Sequence, residues 1–556
     1  MAAGSGIGIG VWDSGSWIET GIGDRGRHGR DAQVATERMA VPPISGPRSL
    51  IGFCKARTRK CSFQSMDSLA FLCARRIVAH HPRLAVPAHL YPILFQVAFL
   101  DGRTLVLRDL VATWPFKELL LQRLLGHRKL LRDHSCKDCV QAVIQGVMEQ
   151  LQQDVEEPGC HPRLRVLDMI GLSNSVTGNT PAGLTTPFIT VVLAKACMQV
   201  SNHQQKFQRH GSQWHRGRSG AATAAPWPPG MDVHTDLCIN TSSYNTVCNG
   251  LQAGAASPLR LKCREFKTEF IPASEIVPLL ESLDPSCLRR INLHATCSGL
   301  KGLLEILPHL LRFPQLYSLK LEYSNVDLRN QTAESANKIR SMSRQLGMLP
   351  SLRELNLGSS WLSGNLHQIL WDLRAPLESL ELNDCSLVPA DLAFLSQSFH
   401  APALKILDLS RLKVSQGLLE PLRWLLEKTS ASLLHLTLMA CEMTDSHLDA
   451  LIPTLQRCSR LRFLDLSYNP LSMDALRDLL QKTLELPDLQ LVVYPEPKEC
   501  YHMESSGFTL NRKVVDKELL AAAAAEISQL LENSGRSDLV WTYDRDNHRA
   551  PDYFSL

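Results

Sequence analysis

Leucines fall in a fixed register along most of the chain. The pattern L-x-x-L-x-L reads LRRINL at 288, LYSLKL at 316, LRELNL at 352, LESLEL at 377, LKILDL at 404, LLHLTL at 433 and LRFLDL at 461. Successive starts lie 28, 36, 25, 27, 29 and 28 residues apart, and a weaker copy begins at Leu489. LRVLDM at 164 and PLRLKC at 258 are weaker still. Within each copy the alternation predicts a short strand, with leucines facing inward and the residues between them facing outward. The rest of each unit, such as GLLEILPHLL from Gly302, reads as an amphipathic helix on the opposite side. A unit of this size cannot bury its apolar face alone, so copies must stack. The fold class expected is α/β, a leucine-rich-repeat solenoid (horseshoe) with an N-terminal helical cap or docking module. The 36-residue step holds a polar insertion, SNVDLRNQTAESANKIR, from Ser324.

Upstream of the repeats, residues 66–155 read as helical. Leu69, Leu72, Cys73 and Ile77 recur at helical spacing, and Leu90, Leu94 and Val97 do so after the breaks at Pro82 and Pro87. Further helices are expected over 105–110 and 116–125, separated by Trp114-Pro115, and over 139–151. Residues 1–65 are rich in Gly, Ser and Arg without periodicity and are expected to be a disordered leader, with Met66 a plausible natural start. The solenoid is expected over 156–500, interrupted by a polar loop over 200–230. A cap and tail are expected over 501–556.

Composition sharpens this picture. Of 556 residues, 91 are leucine and only 6% aromatic, which points to one packing solution used repeatedly. The formal charge of +4 lies wholly in residues 1–65, with nine basic and five acidic side chains; the remainder holds 50 of each. A balanced body lacks the basic face of a dedicated nucleic-acid binder. The 16 cysteines are irregularly spaced and read as reduced thiols, so N-x-S/T triplets at Asn240 and Asn330 have no glycosylation context. No apolar run reaches the roughly 18 residues a membrane span needs. The opening MAAGSGIGIG lacks the basic and apolar regions of a secretory signal. The expected location is cytoplasmic.

No motif demands catalysis. H-E-x-x-H is absent, Gly178 to Gly183 is followed by Leu184 instead of the phosphate-binding lysine, and Gly4 to Gly10 fails the dinucleotide spacing at Ile9. The expectation is a non-enzymatic chain with no cofactor. His134, Cys136 and Cys139, with Cys160-His161, supply zinc ligand types. A lone C-x-x-C without a placed second pair favours a structural reading, and no metal is expected. The ending Phe554-Ser555-Leu556 fits a loose strand-addition pattern, against a tail packed on the last repeat, which is favoured.

Two surfaces are candidates for binding. Strand alternation puts Arg290, Asn292 and His294 on the concave face, followed by Ser318, Lys320 and Glu322. Glu354 and Asn356, then Ser379, Glu381 and Asn383, continue it. Asp408 and Ser410, His435 and Thr437, and Phe463, Asp465 and Ser467 complete it. Such mixed polarity suits a protein ligand, and the acids among these are expected to be solvated. Asn469, in LDLSYNPL, takes the polar turn position that Cys385 and Cys441 fill elsewhere. The second surface is the first helix. Leu69, Cys73 and Ile77 match S-L-x-x-x-C-x-x-x-Φ, similar to the elongin-C-binding box, in which one apolar stripe enters a partner's groove. Val86, Pro87, Leu90 and Leu94 match the cullin-2-box spacing. The competing reading is that both are cap helices packed on the first repeat.

The segments LYPILFQVAFLDGRTLVLRDLVATWPF, LRVLDMIGL, LGSSWLSGNL and DYFSL resemble the PRAME (melanoma-antigen) leucine-rich-repeat family, over about Met66 to Leu556. The resemblance implies a cytoplasmic interaction protein without catalytic activity. Family members acting as receptors of cullin-2 ubiquitin ligases imply that Leu69, Cys73 and Ile77 contact elongin C, within elongin B/C, and that Pro87, Leu90 and Leu94 contact the cullin. Another branch implies damping of Toll-like-receptor signalling to NF-κB, through binding of the IκB kinase β subunit and disruption of kinase complex assembly. The resemblance does not extend to residues 1–65 or to much of 200–230.

Overall fold

The computed structural model describes residues 69–80, 86–125, 137–156, 164–172, 187–214, 230–254, 257–296, 299–324, 326–329, 332–504, 512–536 and 538–544. The leader, His134, Cys136, Cys160, His161, the Gly178–Gly183 segment and the terminal Phe-Ser-Leu lie outside them.

Among the described residues, thirteen strands form one parallel sheet, joined edge to edge almost wholly in chain order. The first four are β1 (Glu118–Leu120), β2 (Val166–Asp168), β3 (Met231–Asn240) and β4 (Leu259–Glu269). Then come β5 (Arg290–His294), β6 (Ser318–Lys320), β7 (Glu354–Asn356), β8 (Ser379–Glu381) and β9 (Ile406–Asp408). β10 (His435–Thr437), β11 (Phe463–Asp465) and β12 (Leu491–Val493) follow. A two-stranded hairpin, β13 (Tyr501–Glu504) with β14 (Arg512–Val515), leaves the sheet before β15 (Val540–Thr542) closes its far end against β12. Helices alternate with strands throughout and cover one side, while the sheet stays open. This is the leucine-rich-repeat solenoid that the register predicts.

The register survives in the packing. In LRRINL, Leu288, Ile291 and Leu293 are all 0% exposed, and every later copy buries its leucines in the same continuous core. Parallel strands three residues long have little hydrogen bonding of their own, so this stacked apolar column carries the stability. A second core gathers the N-terminal helices and β1 to β3, including Phe95, Leu107, Leu119, Val143 and Leu167.

Two expectations need correction. The segment 116–125 is not a single helix: β1 precedes a short helix, Leu121–Leu125, and pairs in register with β2. Leu119 is buried between exposed Glu118 and half-buried Leu120, an alternation too short to be seen as a period. The sheet therefore begins inside the segment expected to be helical. The polar loop over 200–230 is helical in its first half, since a helix runs Phe188–Trp214. Its inner turns are anchored by buried Leu193, Cys197 and Val200, while residues 215–229 lie outside the described ones. Cys139 is fully buried in the helix Lys137–Glu156, its thiol on the Phe99 carbonyl at 3.7 Å. No group of three metal-ligating side chains occurs among the described residues.

The turn after each strand follows one rule. Two residues past the last leucine, a non-glycine residue takes positive φ: Ala295 (53°), Tyr323 (54°), Ser359 (59°), Asp384 (56°), Arg411 (62°), Ala440 (54°) and Tyr468 (59°). Left-handed backbone at an L residue costs on the order of 1 kcal/mol. The compensation comes from the neighbouring repeat. Ala295 N donates to Glu322 O at 3.0 Å, Tyr323 N to Gly358 O at 3.1 Å, and Ser359 N to Asn383 O at 2.8 Å. Asp384, Arg411 and Ala440 extend this ladder to Ser410, Met439 and Ser467. The rotation aims a backbone N–H along the stack, where it has a partner; an extended residue there would leave it without one.

Candidate protein-binding face

The concave residues divide into a paired charged floor, a buried acidic end and an aromatic rim. On the floor, Lys320 Nζ lies 2.7 Å from Glu381 Oε1, and Asn356 Nδ2 donates to Glu381 Oε2 at 2.7 Å. Arg290 Nη2 stands 3.6 Å from Glu354 Oε1, while its Nε donates to the Tyr317 hydroxyl at 2.6 Å. Lys320, Glu381, Arg290 and Glu354, with Glu265 and Asn292, line a cavity of about 330 Å³. Burial works to depress the pKa of the Lys320 ammonium, but the Glu381 carboxylate outweighs it and leaves the pKa raised. The ammonium is therefore charged at neutral pH. Four charges of this face, Arg290, Lys320, Glu354 and Glu381, are thus paired with one another, and a ligand here must exchange those pairs for its own.

At the other end the acids are not the solvated residues expected. Asp465 is 0% exposed, and Ser410, His435 and Phe463 are buried with it. Concave curvature brings neighbouring strands' side chains together, which covers short ones. Asp465 Oδ1 accepts Ser467 N at 3.0 Å and Ser467 Oγ at 2.6 Å; Asp408 Oδ1 does the same with Ser410, at 2.8 and 2.5 Å. These Asx turns end the strands. Glu354 and Asn356 are buried as well, while Asn292, His294, Glu322, Asn383 and Thr437 keep partial exposure.

Asp408 carries a measurable consequence. Burial, opposed by the Ser410 hydrogen bonds and reinforced by the Glu381 and Asp465 carboxylates, pushes its pKa up to about 6. The folded state therefore holds this proton more tightly than the unfolded chain, whose aspartate titrates near 4. Its stabilising effect is complete below about pH 4 and is lost as pH rises through about 6. Asp408→Asn keeps the acceptor oxygen, as Asn356 Oδ1 does when it accepts Gly358 N at 2.7 Å. The variant is expected to match the wild type at pH 4 and to exceed it by about 1–2 kcal/mol at pH 7, read from urea midpoints at both pH values.

The rim was not predicted. The His294 ring stands edge-on between Phe270, at 6.1 Å, and Tyr323, at 5.1 Å. Phe270 is 49% exposed and Tyr323 45%. Nearby along the repeats, the Arg329 guanidinium lies 4.4 Å above the Trp361 ring. The sequence signal was present: Tyr323 and Tyr468 occupy the turn position just past the concave residues, where positive φ swings the side chain out to the edge. Exposed aromatic and arginine side chains of this kind commonly anchor protein partners.

The helix Leu69–His80 presents its stripe outward. Phe71, Ala74 and Val78 are buried against the N-terminal core, whereas Leu69 is 77% exposed, Leu72 51% exposed and Cys73 exposed. Ile77 is half-buried. Arg75 anchors the helix by a two-bond pair with Asp101, at 2.8 and 2.9 Å. The cullin-box match fares differently. Pro87 is exposed and Val86 and Leu90 are half-buried, but Leu94 is 1% exposed, inside the core beside Phe95. Its expected contact with a cullin is corrected: the helix Tyr91–Leu100 is apolar on nearly every side and is buried accordingly.

The sequence profile of the PRAME C-terminal domain matches residues 231–543, and that of the PRAME N-terminal domain matches residues 74–176. Leucine-rich repeat-containing protein 14 of Xenopus laevis is 42% identical over 510 residues, covering 88% of this chain and 100% of that protein. Its counterpart in Homo sapiens is 39% identical over 511 residues, with the same coverage. Among solved structures, the leucine-rich repeat-containing protein LegL7 from Legionella pneumophila aligns over 57% of this chain and 94% of its own, at 18% identity and a TM-score of 0.34. With the repeat register and the open parallel sheet already established, the two profile matches and the relatives at about 40% identity make the chain a member of the PRAME family of leucine-rich-repeat proteins.

Proposed function

We propose that the chain is a cytoplasmic, non-enzymatic binding protein that damps Toll-like-receptor signalling to NF-κB by holding the IκB kinase β subunit and keeping the kinase complex from assembling. The observation that carries a protein ligand is the concave face itself, a paired charged floor edged by Phe270, His294 and Tyr323. Its polarity supports a folded protein surface over a phosphate backbone or a small apolar molecule. The kinase comes from the family resemblance.

A second reading is favoured by one specific feature. Leu69, Leu72 and Cys73 form an apolar stripe on a helix whose opposite face already holds it to the core. That is the arrangement a helix-in-groove contact uses, and it supports a substrate receptor docked to elongin B/C and cullin-2.

One experiment separates the two. Wild type, Leu69→Asp/Cys73→Asp and Phe270→Ala/Tyr323→Ala are compared by quantitative affinity mass spectrometry and an NF-κB reporter, with thermal melts confirming folding. Under the inhibitor reading the stripe variant keeps both the kinase subunit and reporter repression, and the rim variant loses at least about tenfold of the captured kinase. Recovery of elongin and cullin-2 with wild type, their loss from the stripe variant and relief of repression would replace it with the receptor reading.

A further inference from the structure

A second cavity, of about 500 Å³, opens at the C-terminal end of the stack, away from the charged floor. Four tyrosines build it. Tyr494, 2% exposed, lies beneath, and the Tyr543 ring stands edge-on to it at 6.1 Å. Tyr468, Tyr501 and Tyr543 form the walls and are 72%, 37% and 40% exposed. Glu442 and Glu496 also line the cavity. The Tyr501 hydroxyl donates to Glu496 Oε2, which leaves the second carboxylate oxygen for a guest. Lys498 is the one lysine or arginine of the lining, and its Nζ is held by Asp445 Oδ2 at 2.6 Å. Lys413 approaches Glu442 to 3.3 Å from outside, with both side chains mostly in water, where such a pair is weak.

Aromatic faces attract cations through the ring quadrupole, and a carboxylate at the mouth adds direct charge pairing. Tyrosines without a phenylalanine or leucine among the walls make a poor site for an uncharged apolar guest. Fixed carboxylates repel an anion. We infer that this cavity is a recognition site for an unmodified lysine or arginine side chain on a peptide segment of a protein partner. Tyr468, Tyr494 and Tyr543 each lie one to three residues past a strand of the sheet, β11, β12 and β15 respectively, so a partner lying along the concave face reaches the cavity with its flanking residues. Two carboxylates distinguish the site from a purely aromatic cage, which selects quaternary ammonium because that guest donates no hydrogen bond. The inference holds for whichever protein occupies the concave floor.

The test uses the full chain and saturation-transfer NMR with the acetylated, amidated heptapeptide Gly-Ser-Ala-X-Ala-Ser-Gly, where X is lysine, arginine, glutamine or trimethyllysine. The lysine and arginine peptides are expected to bind about tenfold more tightly than the glutamine peptide, with transfer strongest at the methylenes next to the charge. Tyr468→Ala and Glu496→Gln should each weaken binding about three- to tenfold, while Tyr468→Phe, which keeps the ring, retains it. Equal binding of the glutamine peptide, unchanged binding in both weakened variants, or a preference for trimethyllysine would overturn the assignment.

Discussion

Replacing Asn469 with leucine is expected to cost about 3–4 kcal/mol and to lower the urea midpoint accordingly. The side chain is 3% exposed and spans two repeats. Its Nδ2 donates to Leu438 O and Leu466 O, both at 2.8 Å, and its Oδ1 accepts Cys441 N at 2.9 Å and Met443 N at 3.0 Å. Leucine fits the volume but leaves two amides and two carbonyls buried without those partners. The fold supplies its own control. Cys441 stands at the equivalent position one repeat earlier, with its thiol on Leu409 O at 3.3 Å. Burial pushes that thiol's pKa up to about 12, so it stays protonated and can donate. A thiol is a weak donor with no amide's second arm, and Cys441→Ala is expected to cost only about 1 kcal/mol. Similar losses in the two variants would mean that packing volume, not hydrogen bonding, matters at this position.

Arg536→Ala is expected to open the C-terminal end. Its guanidinium closes the last repeat by donating to three main-chain carbonyls: Leu484 O at 2.7 Å, Leu486 O at 3.0 Å and Leu489 O at 2.9 Å. Asp538 holds it from behind at 2.9 Å. The residues beyond deliver β15, whose Trp541 covers the leucine column where the stack would otherwise end in water. Repeat arrays lose stability from their ends, because a terminal unit has one neighbour instead of two. Removing the guanidinium should cost about 2–3 kcal/mol, charge-assisted bonds being the stronger class. The loss should be local. Hydrogen exchange should rise over 491–493 and 540–542 and stay unchanged over 290–294; uniform acceleration along the sheet would refute the capping role.

Most of the repeat was legible because leucine does one thing in it. From Leu288 to Leu466 each L-x-x-L-x-L puts its apolar residues in the core and the intervening ones on the opposite face, since strand geometry alone fixes that alternation. The same reasoning reached β2 and β4 through degenerate copies at 164 and 258. It missed β1, β3 and β15, where no leucine register marks the strand and pairing with an adjacent strand makes it one. It also misjudged the polar floor. Alternation states which face a side chain takes but not what stands opposite, and Lys320 meets Glu381 from 61 residues away. The outward stripe on the first helix was equally undecidable, because Leu69-Cys73-Ile77 and Phe71-Ala74-Val78 are both apolar faces with helical spacing. Packing chose the second for the core.

The sequence by itself thus determined the repeating unit, its strand-and-helix division and the direction in which each strand's side chains point, all consequences of short-range periodicity. The tertiary structure decided where the stack begins and ends and which charges neutralise one another. Those depend on hydrogen bonds and contacts between successive turns of the solenoid, such as the ladder from Ala295 to Ala440. Such contacts exist only after the turns have stacked, so no local pattern encodes them.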